Sequence, residues 1–299
     1  MKILCIGHAA YDITIPVESF PVENTKNRVH DLVECGGGPS SNAAYLLGKW
    51  GMDVSFAGIV GNDEYGRRIK TEFDRDGVNT QYLEISNNYK TPSSFIIANK
   101  GRGTRTVLTY RPNEMQMQDI NLDFIPDIIL MDGQEPVLSK KIIKMFPRAI
   151  SIIDAGRPTP EIIELSKMVN YLVCSKDFAE AVTKMKIDYN QPETITILYR
   201  ELENIFHNFI VITLEANGSL YKRDNLIKIM PSIKVIPVDS TGAGDIFHGA
   251  FTYGIANRLD FEKILKIANV AGALSVTKIG GRYSAPSKEE MKNVLNDFE

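Results

Sequence analysis

The chain has no apolar run near the ~20 residues that a membrane-spanning helix needs, so no membrane span is expected in its 299 residues. It also has no block of five or six like charges, and its formal net charge is -3. That balance removes the electrostatic reason to expect nucleic acid or a membrane surface as partner. Cysteine is scarce: Cys5, Cys35 and Cys174 are odd in number and far apart. Their spacing offers neither a disulfide framework nor a CxxC zinc pair. The histidines, His8, His30, His207 and His248, are equally dispersed, so a histidine metal site is not expected. A G-x-G-x-x-G run after the first apolar segment is missing too; GHAAYD stands there instead. A nicotinamide-dependent dehydrogenase should carry that run. The opening MKILCIGHAAYD reads as a buried strand rather than a secretory signal, and the cytoplasm is the expected compartment.

What is present is an alternation. Apolar runs at 2–7, 54–61, 127–133, 149–156, 170–175 and 209–218 end in polar residues or glycine. Between and after them lie helical patterns at 41–51, 64–77, 138–146, 159–169, 176–185, 191–205, 243–257, 260–277 and 287–297. Apolar strands separated by helices predict an α/β fold, a mostly parallel sheet covered on both faces. Two stretches break the rhythm. Segment 11–20 alternates apolar and polar residues as a half-solvated strand does, and 93–99 with 104–110 reads as a hairpin around KGRG. They predict a small antiparallel lid, formed by about 11–34 and 91–112, on one domain spanning 1–299.

Ligands of such sheets sit beyond the carboxyl ends of the strands. There the stretch VDSTGAGDIFHGAF (238–251) stands out. Gly242, Ala243 and Gly244 expose backbone N–H groups just before a helical run, and a helix N-terminus favours anions. This is an anion hole for a phosphate or a developing oxyanion. Asp245 beside it is placed to accept the proton of an attacking hydroxyl, in a reaction that needs little beyond positioning and charge neutralisation. A plain helix cap is the alternative from these residues alone. His248, one turn on, reads as a packing or surface polar residue, and Trp50 as core.

DSTGAGDIFHGAF resembles the C-terminal signature of the ribokinase (pfkB-type) carbohydrate kinase family, D-T-x-G-A-G-D, with Ser240 in place of Thr. GGGPSSNAA (36–44), IVGNDEYGRRI (59–69) with DGVNT (76–80), ITLEANG (212–218) and VTKIGGRYSAPSKEEM (276–291) resemble its other motifs, in order. The family's ribokinase-like three-layer fold with a β-sheet lid is therefore implied, as is ATP-dependent phosphorylation of a sugar hydroxyl. The resemblance makes Asp245 the catalytic base and Gly242, Ala243 and Gly244 the anion hole. It gives Asp12, Gly37, Gly38 and Asn42 to the sugar. Ser175, Thr213, Glu215, Gly218 and Asn269 fall to the ATP site. ATP and Mg2+ are implied as cofactors. So is a monovalent cation such as K+, held in many members where Asp239, Thr241 and Ser284 stand here. The lid implies a homodimer.

Two positions depart from the pattern. Phe178 stands where N-x-x-E has its Glu, leaving Asp177 or Glu180 to organise Mg2+, and Glu215 replaces the first glycine of T-x-G-x-x-G. SKDF, IFHGAF and GGR look similar to the ketohexokinase and sulfofructose-kinase side of the family. Arg105, Asp132 and Gln134 complete the expected acceptor site, with Asp154 ending the next strand and Arg157 nearby. Acids and amides suit neutral hydroxyls, whereas an anionic sugar should require Arg or Lys. A neutral ketose or similar sugar is expected, with a nucleoside as the other acceptor. An inactive sugar-binding sensor remains the reading of another class.

Overall fold

The structure is a computed structural model that describes every residue except 297 and 299. In chain order the strands are β1 (Lys2–Ile6), β2 (Ala10–Val17), β3 (Val33–Gly37), β4 (Asp53–Gly61), β5 (Val78–Asn79), β6 (Leu83–Ser86), β7 (Ser93–Asn99), β8 (Thr104–Tyr110), β9 (Ile128–Met131), β10 (Ile150–Ala155), β11 (Tyr171–Ser175), β12 (Phe209–Thr213), β13 (Ser219–Arg223) and β14 (Leu226–Met230). The helices are α1 (Pro39–Lys49), α2 (Glu64–Arg75), α3 (Pro136–Met145), α4 (Pro160–Ser166), α5 (Lys176–Thr183), α6 (Pro192–Phe206), α7 (Ala243–Ala256), α8 (Phe261–Ser275) and α9 (Lys288–Val294). The helix expected over 287–297 is thus shorter, and position 297 lies outside the described residues.

The main sheet runs β14-β13-β12-β11-β10-β9-β1-β4-β5, with β6 pairing the far end of β4. From β12 to β5 its pairs are parallel, and β13 and β14 close one edge antiparallel. Strand β1 is buried from Ile3 to Ile6, as a central parallel strand with both faces covered must be. One core packs α1, α7 and α8 against the sheet around Trp50, Phe56, Phe247 and Phe251; a second packs α3, α5 and α6 around Leu138, Phe178 and Leu198. The chain steps from β1 to β4 on one side and returns to β9 on the other, so β1/β9 is a switch point where a crevice opens.

A separate sheet, β3-β2-β7-β8, lies beside that crevice. It departs from expectation in three ways. It is not wholly antiparallel, because β2 and β7 pair parallel while β2/β3 and β7/β8 pair antiparallel. β2 is almost wholly buried, not half-solvated, because β3 and β7 flank it and the main body backs it. The exposed strand is β8. In addition, β3 runs on to Gly37, so the glycine motif begins as a lid strand.

Candidate active site

The N-terminus of α7 is the centre of the site. Gly242 is its N-cap with φ 76°, a left-handed value that glycine adopts without cost. A side chain on Gly244 would meet no atom within 4 Å, so the space over the first turn is open. Asp245 follows in that turn, and its Oδ2 accepts a hydrogen bond from Asn42 Nδ2 at 2.8 Å. Asn42 is buried and its Oδ1 has no protein partner, which leaves an acceptor for a ligand hydroxyl. Burial raises the Asp245 carboxyl above the usual carboxylate range; Asn42, His248 and Arg105 oppose that rise.

Asp12 comes from the lid strand β2, opposite Cys35 of β3 and Ser94 of β7. A side chain on Gly37 would overlap its carboxylate, so the glycine is required by that approach. Burial pushes Asp12 up to about 6, Ser94 and Arg282 pull it down, and repulsion from Asp245 adds to the rise. The lid also delivers Arg105, whose Nη1 donates to Ser240 Oγ at 2.6 Å, beside the α7 turn.

Asp132 and Gln134, expected at the acceptor, are engaged by the protein itself. The Asp132 carboxylate is buried and accepts from the backbone N–H groups of His8 (2.9 Å), Ser40 (3.1 Å) and Gln134 (2.9 Å). It ties β1, β9 and the start of α1 together at the switch point. The Gln134 side-chain oxygen accepts from Arg111 Nη1 at 2.7 Å. Arg111 in turn faces the buried Glu135 at 3.1 Å. Sequence reasoning missed Arg111, which is paired with that acid and with Gln134.

The residues expected at the nucleotide lie on the other side of α7, at the ends of β11 and β12, at the start of β13 and on α8. Ser175 caps α5 through Phe178 N at 3.0 Å and donates to Gly156 O at 2.9 Å. Thr213 ends β12, 3.4 Å from Cys174 O. Asn269 donates to Ser219 Oγ and Met230 O, so its amide ties α8 to the β13–β14 hairpin. Glu215 holds φ 53° in a short 3-10 turn. The left-handed conformation explains the glycine of the resembled motif, because a side chain there costs roughly 1–2 kcal/mol. Glu215→Gly is expected to raise the urea midpoint modestly, after the entropy cost of glycine, and, on the expectation that its carboxylate faces the nucleotide phosphates, to lower the KM for ATP. Denaturation curves and initial rates check both.

Among the metal expectations, Glu180 is removed as a Mg2+ organiser: it is buried, ion-paired with Lys186 and accepts from Ile187 N at 3.0 Å. Phe178 is core, which leaves the exposed Asp177. Asp239 is buried; its Oδ1 accepts from Thr241 N (2.9 Å) and Oγ1 (2.6 Å), and its Oδ2 from Gly280 N (3.0 Å). Ser284 Oγ donates to Gly281 O at 2.7 Å. These bonds join the segment before α7 to the 280–284 loop. No group of three or more His, Cys, Asp or Glu arranged to hold a metal occurs among the described residues.

A further pair was not foreseen. Arg282 is fully buried, pairs with Glu72 at 2.8 Å, bonds Ser41 Oγ, and lies 4.5 Å over the Phe73 ring. Glu72 Oε2 also accepts from Gly36 N at 2.9 Å. The pair therefore joins the glycine motif, α1 and the 280–284 loop. The burial of Glu72, though not its partner, was legible: Glu72 falls in the apolar stripe of α2, between Ile69 and Phe73.

A sheet with a crevice at β1/β9, a β-lid and an open helix N-terminus flanked by two carboxylates defines a small-molecule phosphotransferase of the α/β class. The model of the pfkB family of carbohydrate kinases matches residues 1–288, and the chain belongs to that family. It is 24% identical to a ribokinase of Haemophilus influenzae over 96% of this chain and 95% of that protein. It is 24% identical to a nucleoside kinase of Methanocaldococcus jannaschii over 97% of this chain and 95% of that one. The structure of Arabidopsis thaliana ribokinase complexed with ribose and ATP superposes with a TM-score of 0.81 at 21% identity, covering 100% of this chain and 99% of that chain. No described helix is long and apolar enough to cross a membrane.

Proposed function

We propose that the protein transfers a phosphoryl group from ATP to a hydroxyl of a small neutral sugar. Asp245 takes the hydroxyl proton, and the N–H groups of Gly242, Ala243 and Gly244 receive the transferring group. The observation that carries this reading is the placement of Asp245 in the first turn of α7, held by Asn42 under open space. Asp12 and the free Asn42 oxygen bind acceptor hydroxyls on the lid side. ATP lies on the β11–β13 side and supplies the phosphoryl group; Asp177 is the acid left to organise Mg2+. Neutral acceptors suit a site where Arg111 and Arg282 are already paired, with Glu135 and Glu72. A nucleoside offers the same ribosyl hydroxyl and is the second acceptor to assay.

Asp12→Ala is expected to raise the sugar KM strongly with a smaller change in kcat; an unchanged KM removes Asp12 from the site. Because Asp12 is pushed up to about 6, its charged form is lost as pH falls through that value. Sugar affinity should weaken there in the wild type but stay flat in Asp12→Asn, as titration calorimetry would show.

The outer face of the lid exposes Phe95, Leu108 and Tyr110. A second copy of the chain is the proposed cover, and Leu108→Glu should yield monomers in sedimentation.

A further inference from the structure

His248 is buried one turn beyond Asp245 on α7. Its Nδ1 lies 2.6 Å from Gly244 O and 3.2 Å from Asp154 Oδ2, and its Nε2 lies 3.0 Å from Val173 O. Every one of these three partners is an acceptor unless Asp154 is protonated. A neutral imidazole has one N–H, so one nitrogen would turn its lone pair onto a carbonyl oxygen. With two protons the ring donates on both sides, and Asp154 becomes its counterion. Gly244 belongs to the anion hole, Asp154 ends β10 and Val173 is in β11. The ring thus fastens the first turn of α7 to two sheet strands.

We propose that His248 is held as an imidazolium paired with Asp154, and that this pair fixes the anion-hole turn and keeps Asp245 ionised. His248 is a positioning residue that touches neither sugar nor nucleotide. The inference rests on Asp245 being the base. The other groups facing this pair are few. Asp245 and Asp132 both add negative charge near Asp154, and Arg105 acts on Asp245. The Cys174 thiol is buried and pushed far above its usual range, so it stays neutral. Asn42 is uncharged, and so are the buried residues of α8. Burial raises the Asp154 carboxyl while His248 pulls it back down.

Two measurements on the full-length protein test this. Nitrogen NMR of histidine-labelled protein at neutral pH, with His248→Asn for assignment, should show both ring nitrogens of His248 protonated; one bare nitrogen overturns the proposal and needs no kinase activity. The second is the pH dependence of kcat in the single variants. His248→Asn leaves Asp154 unbalanced beside Asp245, so the acid limb should move up by about one pH unit. Near that limb kcat should fall about tenfold, with the sugar KM little changed. Asp154→Asn leaves the positive ring, and the limb should move down. A merely structural pair would leave the limb still or move it the same way in both variants, which contradicts the proposal. If the wild type phosphorylates no acceptor, the kinase reading fails while the NMR result still decides the charge of the ring.

Discussion

The Asp245→Asn enzyme is expected to lose roughly 10²–10⁴-fold in kcat while its sugar Kd stays within a few-fold of the wild type. Asparagine keeps the shape and leaves α7 intact, so the lost step is proton acceptance from the attacking hydroxyl. The proposed anion hole, made of backbone N–H groups, survives the change. Rapid-quench assays give kcat, and calorimetry gives sugar binding. In the wild type the base works only when ionised. Since burial lifts Asp245 above the usual carboxylate range, kcat should fall as pH drops, beginning above the ordinary aspartate value of about 3.9.

Arg282→Met is expected to be the most destabilising single change, by about 3–5 kcal/mol, because it strands the buried Glu72 without its partner. Glu72 is also fixed by Gly36 N, so it cannot swing out to water without freeing the glycine motif. Glu72→Leu with Arg282→Met should recover most of the loss, since an apolar pair of similar volume removes both charges. Urea unfolding of the two single variants and the double variant measures this. The double variant should still show a raised sugar KM, because the tie between Gly36, Ser41 and the 280–284 loop is gone.

The main sheet was legible because each parallel strand is covered on both faces and so appears as an unbroken apolar run. The antiparallel edge was not. β14 is half-exposed, β13 is only five residues long, and the turn between them is Asp224-Asn225, with φ 52° and 62°, rather than an Asn-Gly pair. That left-handed two-residue turn is a hairpin signal without its usual glycine. β2 misled in the opposite direction. Its alternation suggested one wet face, but Tyr11 stacks on Tyr65 with ring centroids 4.4 Å apart while Asp12 faces the crevice, so both faces are buried.

The site divides the same way. Asp245, Asn42 and Asp12 come together from positions far apart because their motifs each mark a turn that must sit close to ligand. Asp132 was placed at the right strand end, but one-dimensional reading cannot tell an acid that meets ligand from one consumed by three backbone N–H groups. Arg111, Glu72 and the His248–Asp154 pair were missed as interactions. Each is a charge whose partner is remote in the chain, so only the fold brings it into view.

The most direct test of phosphoryl transfer at α7 is phosphorus NMR of the protein with MgATP and a panel of neutral sugars and nucleosides. A new phosphomonoester signal should grow in step with ADP for at least one acceptor, and should all but vanish with Asp245→Asn. Tight sugar binding with no such signal from any acceptor would contradict it and leave a sugar-binding sensor on a kinase fold.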